Sequence, residues 1–490
     1  MTGPGGEGAG KKLILAVVDG LGPALLDRAI IAGRAPTMAR LAAAGERRDD
    51  CVSTFPSLTP VCLAALITGQ HPAGSHIPGM SWYHRDERRL VEYGSSFAAT
   101  LAEGTRQMVA DILVNMNLVH LSPQPTVFEA LDDAGLVTAA VNTYVTRGRT
   151  RHPITRPVAR RLARSVGIVD AVYGPRRYFL GDLFFSDRTG APHNFGGGID
   201  RHAGAVGRWL VTRDGFDFLF FYMYETDAAQ HRAGDVLGAV EGADTGLGLM
   251  VEAAGGLEHF LDRYAVIVVA DHSQSAVVQI ADAAAPLEGS TLFQSSRRSD
   301  PDRCELAVTA SNRVSMVYRL GRARESAARI ARRMLEDPAN ELAMFAEDGW
   351  LVVRRGEGEL RFRRGPGDPD ARGNTFTVKG DADLLHPELH PNALERIEGV
   401  LGCRAAGDVI VSAAPGYEFA DSGGAHHAGG GSHGSLRAED SIVPMITAGF
   451  ARRPDFGAQP SITDVVPLAL RHFGLPVPAG PAASALARVG

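Results

Sequence analysis

This sequence predicts an α/β fold: a doubly wound, mostly parallel sheet with helices on both faces, plus an α+β insert. Three observations carry that prediction. Continuous apolar runs such as Leu13-Ile-Leu-Ala-Val-Val18 end in an acid, as strands covered on both faces do. Stretches of helical spacing alternate with these runs, the grammar of βα units. Between 300 and 404 the alternation gives way to short runs of alternating polarity and turn residues.

In chain order, residues 11–18 form the first strand and Asp19-Gly20 closes it. Helices follow over 23–32 and 36–45, with Gly33 and Gly45 placed as C-terminal stops. Thr59-Pro60 opens a helix through the apolar run 61–67. A helix over 126–134 is stopped by Gly135 and leads into a strand over 136–142. The same units recur as helix 199–212, strand 216–224, helix 247–261 and strand 264–272. In the insert, strands are predicted at 305–308, 313–318, 349–355 and 359–364, a charged helix at 325–336, and a turn cluster at 366–373. The core resumes with a strand over 408–412 and ends with helix 462–473. The expected division is therefore a core over 1–299, an insert or cap over 300–404, and the rest of the core over 405–490.

With 490 residues, 45% apolar and 22% charged, the chain has the material for a large buried core. Fifty basic side chains against 56 acidic ones give a net charge of −6, which provides no general attraction for nucleic acid or an anionic membrane. Residues 1–10 lack the cation-then-apolar pattern of a signal peptide and read as a short disordered tail. No apolar run approaches the roughly 20 residues of a membrane span. Cysteines at 51, 62, 304 and 403, without any Cys-x-x-Cys, fit reduced thiols and a cytoplasmic setting.

The chemistry gathers at a few points. Thr59 is placed to cap a helix, but Thr54 and Ser57 precede it and Thr68-Gly-Gln-His-Pro72 follows, more polar groups than a helix start requires. A hydroxyl at a helix N-terminus lies at the positive end of the dipole, where an attacking oxygen or a phosphate is stabilised. Asp19, Asp227 and Asp271 lie at or just beyond the ends of predicted strands; each alone reads as a cap or turn residue, but together they would meet on one rim of the sheet. Asp227 and His231 are four apart on a helix, Asp271 and His272 adjacent, and His426, His427 and His433 share a glycine-rich loop. Such nitrogen and oxygen donors beside a hydroxyl suit two divalent ions about 4 Å apart in phosphoryl transfer. Mixed His and carboxylate ligands favour Zn²⁺ over all-oxygen Mg²⁺ coordination.

The ordered set Asp19-Gly20, Thr54-Phe-Pro-Ser-Leu-Thr59, Thr68-Gly-Gln-His-Pro72, Asp227-x-x-x-His231, Asp271-His272 and His433-Gly434 resembles the alkaline phosphatase superfamily. Within it, the likeness is to the type I phosphodiesterase/nucleotide pyrophosphatase branch. The resemblance implies two zinc-type sites, one of Asp19, Thr59, Asp271 and His272 and one of Asp227, His231 and His433, with Mn²⁺ as the alternative metal. It implies Thr59 as the nucleophile, a phosphothreonine intermediate and a small-molecule phosphoester substrate. The sequence departs from the branch at Cys62, where an Asn usually contacts the phosphoryl oxygens, so a weakly donating thiol is the candidate substrate contact. It also departs at Ser273-Gln274 and at Gln230, where glycine is usual. Ser432-His-Gly-Ser435 is similar to the phosphomutases of the superfamily, which makes a monoesterase or mutase the alternative. A catalytically inactive metal-binding protein is the alternative of another class, disfavoured by retention of Thr59 and all six Asp and His ligands. No Lys or Arg occurs from 51 through 84, which favours a singly charged diester; Arg85 and Arg147-Gly-Arg-Thr-Arg151 are the cations nearest in sequence.

Overall fold

The computed structural model describes residues 10–478 apart from 97, 100, 102–103, 156, 166–170, 182–183, 186–190, 193–197 and 294–298. The expected N-terminal tail thus lies, up to residue 9, outside the described residues. Among the described residues, no helix is long and apolar enough to cross a membrane.

The core is an eight-stranded sheet in the order Glu46–Val52, Ile442–Ala448, Tyr264–Val269, Lys12–Val18, Phe218–Met223, Thr138–Val141, Arg177–Leu180, Phe184–Phe185. Lys12–Val18 is central and pairs in parallel with both neighbours, and parallel pairing continues through Thr138–Val141 to Arg177–Leu180. Its residues from 13 to 18 are buried, as an apolar strand between two helical layers requires. Helices Pro23–Ile31, Pro36–Ala44, Val127–Asp133 and Ile199–Thr212 form where helical spacing placed them. The helix Thr59–Thr68 is buried at all ten positions, which its apolar residues on every side permit.

Three expectations need correction, and two core strands were not expected. The helix expected over 247–261 is two helices, Val236–Ala253 and Leu257–Arg263, because Gly255 and Gly256 between them adopt φ of 95° and 106°. Two core strands escaped the apolar pattern. Glu46–Val52 is an edge strand and carries charge, and Ile442–Ala448 contains Pro444, which faces a register shift between Arg48 and Cys51 in the adjoining strand. The turn cluster at 366–373 is half strand, since Gly358–Pro369 runs through it. Val409–Ala413, expected to resume the core, lies instead in a second eight-stranded sheet, between Val314–Arg319 and Asn340–Glu347.

That second sheet is antiparallel from Leu306–Ser311 onward and has two apolar faces. Val409 and Val411 pack with Ile330, Ala331 and Met334 of helix Ala327–Met334, whereas Ile410 points to the opposite face and joins the main core. Its hairpin Leu306–Ser311/Val314–Arg319 turns at Asn312-Arg313. Arg313 is buried there and donates to Asp440 Oδ1 at 2.8 Å, which fastens the hairpin tip to the core.

Candidate active site

Each group at the site is delivered by a strand end or a helix start. Asp19 follows Lys12–Val18, and Asp271-His272 follow the parallel neighbour Tyr264–Val269, so both carboxylates emerge at the same rim. Gly20, at φ 71°, lets the chain turn away there; its amide donates to Asp271 Oδ1 at 3.3 Å. Asp227 and His231 share helix Glu225–His231, with Nε2 3.3 Å from Asp227 Oδ2. The glycine-rich loop closes over this helix: a Cβ at Gly430 would come within 2.2 Å of the His231 carbonyl oxygen. His433 reaches Asp227 Oδ1 from that loop at 3.6 Å and stacks on His272 with ring centroids 3.6 Å apart.

Thr59 is the first residue of its helix and Leu58 the cap; Leu58 caps with no side chain, so the Thr59 hydroxyl is not used for capping. Its Oγ1 lies 3.1 Å from His272 Nε2. The neighbouring hydroxyls brace the loop instead. Thr54 Oγ1 bonds His71 Nδ1 at 2.8 Å, and Ser57 Oγ donates to the Ser435 carbonyl and accepts from Gly434 N, each at 3.2 Å.

The three imidazoles are oriented alike. Nδ1 of His231 faces the Gly431 carbonyl at 2.8 Å, that of His272 the Ser273 carbonyl at 3.1 Å, and that of His433 the Ser57 carbonyl at 2.7 Å. A carbonyl only accepts, so Nδ1 carries the proton in each ring and Nε2 presents a lone pair to the centre. Three carboxylates face those lone pairs. Asp19 Oδ1 and Asp271 Oδ2 lie 3.3 and 3.5 Å from His272 Nε2, are buried, and receive no hydrogen bond. Lone pair against carboxylate in a buried site is repulsive unless a cation sits between them. Two donor groups are compact enough to hold one: Asp19, Asp271 and His272, and Asp227, His272 and His433. The residues present fit divalent metal ions, and nitrogen with carboxylate oxygen is a zinc-type donor set.

In the bare site the three carboxylates differ. Burial pushes the Asp19 carboxyl well above its ordinary value, helped by Asp271 and Asp227, and burial raises Asp271 as well. At Asp227 the effect of burial is outweighed by His231, His433 and His272, which hold it below the usual carboxylate range. Burial and the neighbouring His272 drive His433 well below an ordinary imidazole.

Of the residues singled out in the sequence, Asp19, Thr59, Asp227, His231, Asp271, His272 and His433 are brought together. Cys62 is not. It is fully buried one turn into the Thr59 helix, with Sγ 3.2 Å from Ser53 Oγ, away from the cavity wall. His427 stacks on His231 at 3.8 Å and bonds Glu418, while His426 is exposed. The site also uses residues the sequence did not single out as functional. Tyr222 donates to Asp19 Oδ2, Asn312 Nδ2 lies 2.9 Å from His433 Nε2, and Gln274 donates to the Asp227 carboxylate. Gln274 and Gln230, met in the sequence only as departures from glycine, are tethers; Gln230 donates to the Gly20 carbonyl at 2.8 Å. A cavity of about 390 Å³ opens above Thr59, walled by Tyr93, Tyr144, Tyr224, Met80 and Ile112 and edged by Arg232.

Solved structures share this fold. Phosphonoacetate hydrolase from Sinorhizobium meliloti 1021, in complex with phosphonoformate, superposes with a TM-score of 0.59 at 16% identity, covering 95% of this chain and 96% of the other. Murine ectonucleotide pyrophosphatase/phosphodiesterase 5 gives 0.56 at 12% identity, covering 96% and 97%. An inactive form of that murine protein in complex with AMP gives the same values. No curated protein matches the chain by sequence. Residues 13–436 match the family described as type I phosphodiesterase/nucleotide pyrophosphatase, and the chain belongs to that family of metal-dependent hydrolases of phosphoester and phosphoanhydride bonds.

Proposed function

We propose that the chain cleaves phosphodiester or pyrophosphate-type bonds in small molecules, with Thr59 as nucleophile beside two divalent cations, Zn²⁺ by donor type and Mn²⁺ as the alternative. The observation that carries this reading is the convergence of three Nε2 lone pairs and three carboxylates around the Thr59 hydroxyl. Asp19, Thr59, Asp271 and His272 would hold one cation, and Asp227, His231 and His433 the other. When bound, the cations supply Lewis acidity that lowers the pKa of a nearby hydroxyl and screens phosphoryl charge.

Thr59 does the bond-making. Its Oγ1 lies at the buried start of a ten-residue helix, where the positive end of the dipole favours a developing oxyanion. As the Oγ1–P bond forms, the bond to the leaving group breaks, leaving a phosphothreonine; water then cleaves that bond and restores the hydroxyl. Asn312, brought in by the second sheet with Nδ2 2.9 Å from His433 Nε2, would supply the amide contact in place of Cys62. The division into a core over 1–299 and 405–490 and a cap over 300–404 belongs to this reading, except that strand Val409–Ala413 goes with the cap's sheet; the cap contributes Asn312.

The preference for a diester rests on charge. Arg85 pairs with Asp408 at 3.1 Å, and Arg147 is buried against Glu129 at 3.0 Å, so neither covers the nucleophile. A monoester bears nearly two charges and needs more positive cover at the nucleophile than Arg85 and Arg147 provide. Hydrolysis of bis(p-nitrophenyl) phosphate is expected to exceed that of p-nitrophenyl phosphate in kcat/KM; a ratio well below one overturns the diesterase reading. Thr59→Ala is expected to abolish turnover of both, and retained wild-type activity would remove Thr59 as nucleophile.

A further inference from the structure

The cavity above Thr59 has one cation on its wall among the described residues, Arg232, and no part of the reaction outlined above uses it. Arg232 follows the proposed ligand His231 directly and ends helix Glu225–His231. Ala233 then takes φ 49° and the chain turns away, which leaves the Arg232 side chain exposed at the cavity mouth.

The ordinary role of an arginine in that position is to cap the helix, its guanidinium bonding the last carbonyls. Arg232 makes no such bond, and no hydrogen bond or ion pair to any described residue. Carboxylates that would neutralise it are engaged elsewhere: Asp227 by His231 and Gln274, and Asp19 by Tyr222. The Arg232 charge is felt by the Tyr224 phenol on the same wall, where it opposes the larger upward effects of burial and Asp227. An unpaired guanidinium with five donors, at the rim of a cavity whose wall outside the proposed metal ligands is otherwise aromatic, apolar or neutral polar, is arranged to meet an anion coming from outside.

We infer that Arg232 binds a second anionic group of the substrate, a carboxylate or a phosphate on the arm that extends from the scissile phosphorus toward the cavity mouth. The inference rests on the hydrolase reading and narrows its substrate class: a phosphodiester or phosphoanhydride whose organic arm ends in an acid. A neutral arm would leave the guanidinium unmatched, and an arm ending in an amine would be repelled by it.

Titration calorimetry on the purified protein tests this with three ligands of equal arm length: ethylphosphonate, 2-carboxyethylphosphonate and ethane-1,2-bisphosphonate. Wild type is expected to bind at least one of the two doubly acidic ligands about tenfold or more tighter than ethylphosphonate, as befits a charge-assisted hydrogen bond. Arg232→Gln is expected to bring that ratio close to one, and Arg232→Lys to retain part of it. Loss of the ratio for only one of the two ligands supports the inference and identifies the group as carboxylate or phosphate. An undiminished ratio in Arg232→Gln, or a wild-type protein that does not favour either doubly acidic ligand, overturns it. Because the readout is binding and not turnover, failure here is separate from failure of the Thr59 reading, which the hydrolysis assays decide.

Discussion

His231, His272 and His433 sit on three separate elements, yet each is held by a carbonyl at Nδ1 and offers Nε2 to the same point. That common orientation makes metal content a sharp readout of individual residues. His231→Ala and His433→Ala are each expected to lower the metal bound per chain, by more than the roughly 10- to 100-fold in affinity that losing a ligand's hydrogen-bond partner costs, and chelation is expected to inactivate the enzyme. His427→Ala is expected to do less, because His427 Nδ1 is engaged by Glu418. Elemental analysis of the variants decides, and loss of metal in His427→Ala with retention in His433→Ala would reassign the loop. These residues were legible in the sequence because ligand chemistry restricts residue type and local spacing. Tyr222, Asn312 and Gln274 were not, since a tyrosine in an apolar strand, an asparagine in a turn and a glutamine after a strand are each ordinary; only the fold brings Tyr222, 203 positions from Asp19, to its carboxylate. Cys62 shows the opposite error. Its place in the family pattern, where an Asn is usual, implied a substrate contact, but one helical turn carries the side chain into the core.

At the scale of elements, helix Glu225–His231 is seven residues long, too short to be stable by itself, so its ends are fixed from outside. Asp200, near the start of helix Ile199–Thr212, accepts from the Tyr224 and Glu225 amides at 2.8 and 3.1 Å. Glu225 returns the contact by accepting from the Ile199 amide at 2.6 Å, so two helix starts cap each other. Asp200→Ala is expected to cost about 1 kcal/mol of stability, as loss of a cap does, and to lower metal content although Asp200 touches no proposed ligand. Unchanged metal content in a folded Asp200→Ala protein would show that the helix is held without its cap. The apolar strands of the parallel sheet could be read from the sequence because burial on both faces leaves no room for polar residues. Glu46–Val52 and Ile442–Ala448 could not, because an edge tolerates charge and a bulge tolerates Pro444. The strand Val409–Ala413 was recognised as a strand, but five buried residues carry no mark of which sheet they join.

Across the whole molecule, the second sheet is fastened to the first by buried charge. Arg372, in the turn between strands Gly358–Pro369 and Thr375–Gly380, donates to Glu395 Oε2 at 2.9 Å and to both oxygens of Asp464 at 2.9 Å. Burial of Glu395 is outweighed by Arg372, which holds the carboxyl at about 2. A carboxyl depressed in this way adds stability above its unfolded value near 4.5 and loses it as pH falls toward 2, a contribution on the order of 3 kcal/mol. Arg372→Ala strands two buried carboxylates and is expected to cost about 3–5 kcal/mol in denaturant titration at pH 7, with less further loss on acidification than wild type shows. A cost under about 1 kcal/mol would mean that the hairpin is held by its apolar contacts. The order of the central sheet has a further consequence, for synthesis. Ile442–Ala448 lies between Glu46–Val52 and Tyr264–Val269, so two early strands wait for one of the last. At about 5–20 residues per second on the ribosome the wait is on the order of tens of seconds. Throughout it the nascent chain shows an unpaired edge along Tyr264–Val269, a template for misdirected pairing and a surface that chaperones recognise.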